Sequence, residues 1–429
     1  MTYPIAPSHQ RPCGWNAWLP ARDASPPAKD SMTAELVVVG AGYTGLAAAR
    51  AWAEARPDDR VLVLDAERLG EGSPGRNSGF MLEVALAGDA STDELERMSK
   101  LNALSRQTMS RLRRQVEHHG IDCQLQHSGT YRAACTPGGM AALSRYQTFL
   151  EAAGLRYEQL GRPDLETRIG TDYYEAGLYS PDCYLVHPAA LIRGLADALP
   201  DSVSLHEHSP AVSVHAECNG WRVNTPDAEI RAHQVILANN AYSRALGADA
   251  SRVTAIYTYA AVTPVLPDAL RARLIPDDWG LLPAHRLGCT LRSTPDGRLM
   301  IRSRYSYERE ADNATIEASL ADSLTRRYPS LTDIGLEHVW GGTTGLTHNG
   351  APLWGTIQPG LHVSAGCNGG GIVKGSFLGD ALARHALGQA VEPIQHLFGK
   401  AKWMPPEPLR RTGFRLISTL ERRRAGLET

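Results

Sequence analysis

An α/β fold, α+β when the whole chain is counted, is what this sequence predicts: a discontinuous parallel-sheet domain at the head and a second domain built on an antiparallel sheet plus helices. Three observations carry that expectation. An apolar strand, a glycine turn, an alanine-rich helix and another apolar strand follow one another between residues 36 and 64, the opening of a βαβ unit. Between about 250 and 340 the text breaks into short strand-like pieces with Pro and Gly between them, which suits an antiparallel sheet. At 429 residues the chain also exceeds what one compact core usually serves.

The elements follow in order. Residues 1–33 hold six prolines and two isolated tryptophans, Trp15 and Trp18, without periodicity, and read as an extended arm. The folded part starts at about Ala34, with a strand at 36–39, a helix at 44–54 and a strand at 61–64. Residues 91–120 and 139–153 are helical in pattern. His187-Pro188 opens a helix with Leu191, Ile192, Leu195 and Leu199 on its apolar side, alternating strands run through Val212, Val214, Trp221 and Val223, and 235–238 is a buried strand. Strand-like pieces lie at 257–264, 289–293 and 298–303. A last strand at 361–364 runs into Asn368-Gly369-Gly370-Gly371 and a helix at 372–385, and the tail carries a basic, moderately amphipathic helix. The expected division is an arm (1–33), the parallel-sheet domain (34–90, 185–250, 340–390), the antiparallel-sheet domain (91–184, 251–339) and a C-terminal extension (391–429).

Charge and cysteines narrow the partners. The 44 basic and 46 acidic residues leave a formal charge of −2, with no overall field to gather nucleic acid or an anionic membrane, so a small-molecule partner is expected. Seven scattered cysteines form no C-x-x-C pair and read as reduced thiols. The start lacks the apolar stretch of a signal peptide, and no segment has the roughly 20 apolar residues of a membrane helix, so a cytoplasmic protein without membrane insertion is expected. No histidine pair falls in a metal-ligand spacing, so no metal is expected.

Gly40-Ala41-Gly42-Tyr43-Thr44-Gly45 follows its strand directly and opens a helix, and Asp65, followed by Ala66, ends the next strand. Gly40 permits the tight turn, Gly42 lets backbone approach a pyrophosphate, and Gly45 lets helix and strand pack closely. The helix N-terminus turns N–H groups and positive dipole toward phosphates, and Asp65 can accept from ribose hydroxyls. With strand, helix, second strand and acid in order this is a Rossmann-like dinucleotide site. The same turn serves NAD and FAD.

The loop Glu71-Gly72-Ser73-Pro74-Gly75-Arg76-Asn77-Ser78-Gly79-Phe80 is too rich in glycine and polar groups for an ordinary connection. Here the chain resembles the amine and amino-acid oxidase superfamily of flavoenzymes (D-amino-acid oxidase, glycine oxidase, sarcosine oxidase), and its S-x-G-R-N-x-G loop is most similar to the γ-glutamylputrescine oxidase and pipecolate oxidase branch. His187-Pro188, 235–242, 294–298, Trp340-Gly341-Gly342 and 350–355 continue the resemblance to about residue 390. It implies FAD as cofactor, with Gly72, Ser73, Arg76, Asn77, Ser78, Gly79 and Met81 beside it, backbone near Val212 on the adenine, and Ala238 and Asn239 close by. Asn368–Gly371 would meet the N1–C2=O edge of the flavin, where a helix N-terminus and Lys374 stabilise negative charge. Some relatives tether FAD through a cysteine just ahead of the strand that 350–355 resembles. The matching stretch, 340–346, has none, and Cys289 lies in the earlier segment, so non-covalent FAD is expected.

The reaction implied is hydride transfer from an amine-bearing carbon to flavin N5, giving an imine, with O2 or a quinone as final acceptor. Orientation and electrostatics do most of that work. Glycine oxidase and D-amino-acid oxidase grip the substrate carboxylate with an arginine where this chain has Thr343 or Thr344. The expected substitutes are Arg292, Arg302, Arg304 and Lys374, with Arg302 and Arg304 sharing a sheet face by alternation, and His348 is a candidate pocket residue. A cyclic secondary amino acid such as L-pipecolate is the leading expected substrate and γ-glutamylputrescine or another polyamine derivative the alternative. The rivals are a pyridine-nucleotide dehydrogenase and a non-catalytic FAD-binding accessory protein.

Overall fold

The structure, a computed structural model, describes residues 3–84 and 92–429, and the expected boundary at 90/91 lies outside them. One sheet runs in the order Leu353–Gln358, Leu361–Ala365, Ala228–Leu237, Asp30–Val39, Val61–Leu64, Val203–His206. The last five are parallel to their neighbours, and Leu353–Gln358 closes the edge antiparallel. Leu36, Val37 and Val38 are buried completely, as a strand covered on both faces must be, which is why the run is continuously apolar rather than alternating. The first strand begins at Asp30, and Asp30–Ala34 pairs with Ala228–Ala232, so the end of the expected arm belongs to the sheet.

The second sheet has the order His338–Leu346, Thr254–Val262, Leu299–Tyr307, Thr290–Ser293, Gly280–Pro283, Thr130–Ala134, Ala176–Ser180, Glu158–Gly161. It is antiparallel except where Gly280–Pro283 lies parallel to Thr130–Ala134. The expected boundary at 340 needs correction: His338–Leu346 pairs along its whole length with Thr254–Val262 and is an edge strand of this second sheet. Tyr259, Ala261, Leu299 and Ile301 turn toward Ile316 and Leu320 of the helix Asn313–Arg327, whereas Ala260, Val262, Met300 and Trp340 face Trp15 and Ala189 on the other side. That second face looks toward the parallel-sheet half.

The two halves are sewn together by the N-terminal arm. Trp15 Nε1 donates to the carbonyl of Asn77, Asn16 Nδ2 to that of Gly70, and Cys13 Sγ to that of Gly75. It also reaches the other half, where Arg11 pairs with Glu317 of the helix Asn313–Arg327 and His9 with Glu310.

Candidate active site

The helix Tyr43–Ala55 has no side-chain cap, and the N–H groups of Tyr43 and Thr44 find no acceptor among the described residues. Gly45 is required by packing: a Cβ there would stand 1.8 Å from the carbonyl oxygen of Gly40, whose own φ is +105°. Asp65 closes the turn, its Oδ2 accepting from the Ala41 N–H at 2.9 Å and its Oδ1 from the Glu67 N–H at 3.1 Å. Burial pushes its carboxyl up to about 6, so an incoming hydroxyl donor would relieve it. Ala66 follows, partly exposed. Ala238 and Asn239 back Gly40, and Asn239 Oδ1 is buried with no hydrogen-bond partner. Uncapped N–H groups, an orphaned amide oxygen and a half-buried carboxylate one strand along fit the phosphates and ribose of a dinucleotide.

The second glycine cluster comes to the same place. The helix Val373–Ala386 packs on Tyr43–Ala55 so closely that a Cβ on Gly379 would lie 2.0 Å from the Thr44 carbonyl oxygen, and one on Gly375 3.0 Å from Thr44 Oγ1. Close helix packing is therefore the work of Gly375 and Gly379, and Asn368–Gly371 is left free of it. A Cβ on Gly371 meets nothing within 4 Å. Asn368, at φ +53°, accepts from the Thr347 N–H and donates to the carbonyls of Gly350 and Gly366, which holds the turn, and Gly369 (φ +90°) and Gly370 complete it. Two positive helix ends thus converge, an arrangement suited to anionic groups.

The 72–79 loop lies between these ends and the second sheet. Pro74 Cγ is the nearest atom, 3.1 Å, to a Cβ placed on Gly42, and Ser73 Oγ shares a hydrogen bond with Thr343 Oγ1 at 2.8 Å. Three expected contacts are corrected in kind. Arg76 spends its guanidinium on the carbonyls of Glu71, Arg11 and Gly341, and Asn77 donates to the Pro74 carbonyl while accepting from the Gly79 N–H, so both side chains brace the loop. Tyr43 is buried, its hydroxyl donating toward the carbonyls of Pro74 and Pro188, which makes it a core strut. Gly79, at φ +73°, would bring a Cβ to 2.1 Å from the Val186 carbonyl oxygen, Gly72 precedes the loop helix, and Met81 is buried in the core beneath the fingerprint helix. Val212 gives its N–H to the Asn224 carbonyl, so only its carbonyl is left for an adenine.

The candidate cations separate sharply. Arg292 is buried, donates to the carbonyls of Ser78, Val186 and Ser293, and has its pKa lowered to about 10 by burial; it bolts the second sheet to the loop instead of clamping a ligand. Lys374 lies over the Phe398 ring and donates to the Gly350 carbonyl. The register slips between Thr258 and Tyr259, and Arg304, at φ +63°, bulges out of the alternation. Arg304 therefore turns to Ser319 and Ser323 of the helix behind the sheet, and the shared face with Arg302 does not exist. Arg302 sits on the other face, its guanidinium 5.7 Å from the Tyr305 ring and without a hydrogen bond or ion pair among the described residues. His348 is exposed on a turn.

Several residues escaped the sequence reading. The Tyr242 hydroxyl and Thr258 Oγ1 are buried without partners, and Cys367 Sγ lies 3.5 Å from Thr344 Oγ1 beside the glycine turn. Glu83, two residues past the strand Phe80–Met81, is 1% exposed, with neither carboxylate oxygen hydrogen-bonded and Arg106 Nη1 at 3.9 Å. A lone glutamate after a flavin-type loop carries no pattern that could have flagged it.

Comparison with known proteins agrees with this geometry. Residues 35–385 match the family described as FAD dependent oxidoreductase. A probable oxidoreductase OrdL of Rhizobium meliloti is 28% identical over 404 residues, covering 91% of this chain and 90% of its own. The gamma-glutamylputrescine oxidoreductase of Escherichia coli is 26% identical over 369 residues, covering 84% and 85%. The crystal structure of glycine oxidase from Geobacillus kaustophilus superposes with a TM-score of 0.74 at 18% identity, over 87% of this chain and 100% of that one, a likeness of fold.

Proposed function

Because the chain belongs to the FAD dependent oxidoreductase family, we propose that it oxidises the C–N bond of a small amine whose reacting carbon bears no carboxylate, a polyamine derivative of the γ-glutamylputrescine kind. The observation that carries this is the fate of the cations. By the resemblance, Thr343 or Thr344 stands where glycine oxidase and D-amino-acid oxidase would place a carboxylate-binding arginine, and Arg292, Arg304 and Lys374 are engaged elsewhere. With those three engaged, an α-carboxylate at the reacting centre would have only Arg302 to meet it, and a desolvated charge that missed that one partner would cost several kcal/mol.

FAD, when bound, supplies the hydride acceptor. The chain's own share is positioning. The N–H groups opening Tyr43–Ala55 and the acceptors Asp65 and Asn239 would hold the dinucleotide, and the uncapped end of Val373–Ala386 would offset negative charge developing near Gly371. The threonine hydroxyls would orient the amine. Attachment is non-covalent in this reading: His338–Leu346 has no cysteine and Cys289 is buried, so acid precipitation should leave the yellow cofactor in the supernatant.

L-pipecolate is the second reading, favoured by Arg302, whose uncommitted guanidinium could take a carboxylate bidentately. An anaerobic screen separates the two. Bleaching of bound flavin by γ-glutamylputrescine, with little response to glycine or L-pipecolate, supports the proposal. Bleaching by L-pipecolate alone, abolished in Arg302→Ala, would replace it with the second reading. Oxygen consumption in air, set against turnover with a soluble quinone, then identifies the acceptor.

A further inference from the structure

The helix Leu409–Ala425 is apolar on the wrong side. Its inner stripe, Phe414, Ser418, Glu421 and Ala425, packs on the body: Phe414 lies 5.4 Å from the Tyr307 ring, Glu421 approaches His285, and Ala425 is fully buried. The opposite stripe, where a surface helix normally carries charge, is Leu409, Leu416 and Leu420, exposed by 64%, 60% and 44%, with Ile417 beside it at 58%. Arg410 and Arg424 flank the stripe on one side and Arg411, Arg415 and Arg422 on the other, with Arg423 near its end. Six arginines against the single Glu421 concentrate positive charge on a chain whose formal total is −2. Trp403, 59% exposed, precedes the helix where Met404 N–H and Arg410 Nη1 are both pinned to the turn at Ser251 and Ala250.

We propose that this helix lays the protein on an anionic lipid bilayer, with the leucine stripe in the acyl boundary and the arginines among the headgroups. An outward apolar stripe flanked by arginines, with an exposed tryptophan at one end, is the composition of an interfacial helix. Charge decides against a second copy as occupant. Two such helices facing one another across a twofold axis would set arginine clusters against arginine clusters. Nucleic acid would use the arginines and leave the leucines in water. No helix among the described residues is long and apolar enough to cross a membrane, so the contact is peripheral.

The test is cosedimentation of the FAD-loaded full-length protein with phosphatidylcholine vesicles, with and without phosphatidylglycerol. Binding to the phosphatidylglycerol vesicles alone, weakened by salt, is expected. Replacing Arg422, Arg423 and Arg424 by serine should lower partitioning on the order of 100-fold, at about 5-fold for each charge near the surface. Leu416→Ser with Leu420→Ser should also lower it, with flavin absorbance and Tm unchanged because both positions are exposed. The proposal is overturned if the wild type stays in the supernatant, if the double leucine variant partitions normally, or if that variant halves the sedimenting mass in lipid-free buffer, which would make the stripe a contact between copies.

Discussion

Gly379→Ala and Gly371→Ala form a matched pair that separates packing from cofactor contact. At Gly379 the new Cβ would stand 2.0 Å from the Thr44 carbonyl oxygen and 2.8 Å from its carbon, where about 3.5 Å is ordinary contact. The obstacle is backbone, so no rotamer change relieves it and the helices must part by more than an ångström. Alanine gains about 1 kcal/mol of helix propensity over glycine, but overpacking against an immovable group costs about 3 kcal/mol. The net expectation is a loss of about 2 kcal/mol, with weaker FAD binding because the two helix N-termini no longer converge. At Gly371 the Cβ enters open space and φ is ordinary, so the apoprotein should keep its stability or gain about 0.5 kcal/mol. FAD affinity should nevertheless fall about tenfold, equivalent to about 1.4 kcal/mol, because the methyl takes the room left for the ring. Fluorescence titration of deflavinated protein with FAD, beside thermal unfolding with and without FAD, reads both effects. Wild-type affinity in Gly371→Ala would refute the placement of the cofactor edge at this turn, and wild-type Tm in Gly379→Ala would refute the packing argument.

Three further outcomes are expected. Under the proposed reading Asp65 accepts from ribose hydroxyls, best when ionised, and burial holds its carboxyl at about 6 in the free protein; FAD affinity should therefore drop as pH falls through that value, and titration of Asp65→Asn should give weaker, pH-independent binding. Burial, reinforced by Asp182, pushes Glu83 up to about 7 against an ordinary 4.5, so the native state binds the extra proton and stability declines as pH rises from 4.5 to 7. By pH 8 the penalty is on the order of 3 kcal/mol, and Glu83→Gln should raise Tm at pH 8 and leave it nearly unchanged near pH 4.5, whereas a lower Tm at pH 8 would mean that Arg106 makes the charge an asset. Arg292→Met removes a buried cation while leaving the carbonyls of Ser78 and Val186 without their donor, which should cost about 3 kcal/mol in denaturant unfolding and leave the apparent substrate affinity of the folded fraction unchanged.

Local, ordered signals were legible and long-range ones were not. The strand, glycine turn, helix and acid between Leu36 and Asp65 could be placed because each step constrains its neighbour within a few residues. The Arg302/Arg304 pair failed because alternation assumes an unbroken ladder, and one bulged residue at φ +63° sends Arg304 to the helix behind the sheet. Arg292 read as a clamp because its chemistry is that of one; the carbonyls that consume it come from residues 78 and 186, distant in sequence and adjacent only in the fold. Gly375 and Gly379 drew no attention beside the conspicuous Asn368–Gly371, although theirs is the contact that brings the two glycine turns together.

The arm supplies the reason why the 72–79 loop can hold its shape while its most polar side chains are spent on the protein. A tight turn carries as many carbonyls as N–H groups, and both cannot face the same ligand. Donors from the arm and from Arg292 take the carbonyls: Asn16 at Gly70, Cys13 at Gly75, Trp15 at Asn77 and Arg292 at Ser78. Arg76, bonded to the carbonyls of Arg11 and Gly341, ties the same turn to the arm and to the second sheet. With these acceptors drawn to the protein, and the N–H groups of Gly75 and Gly79 held by Gly72 and Asn77 within the loop, the turn is fixed by its own polar groups. Polar side chains in such a loop are thus best read first as props for the backbone, and as ligand contacts only where, as at Asn239, a buried atom is left without a partner.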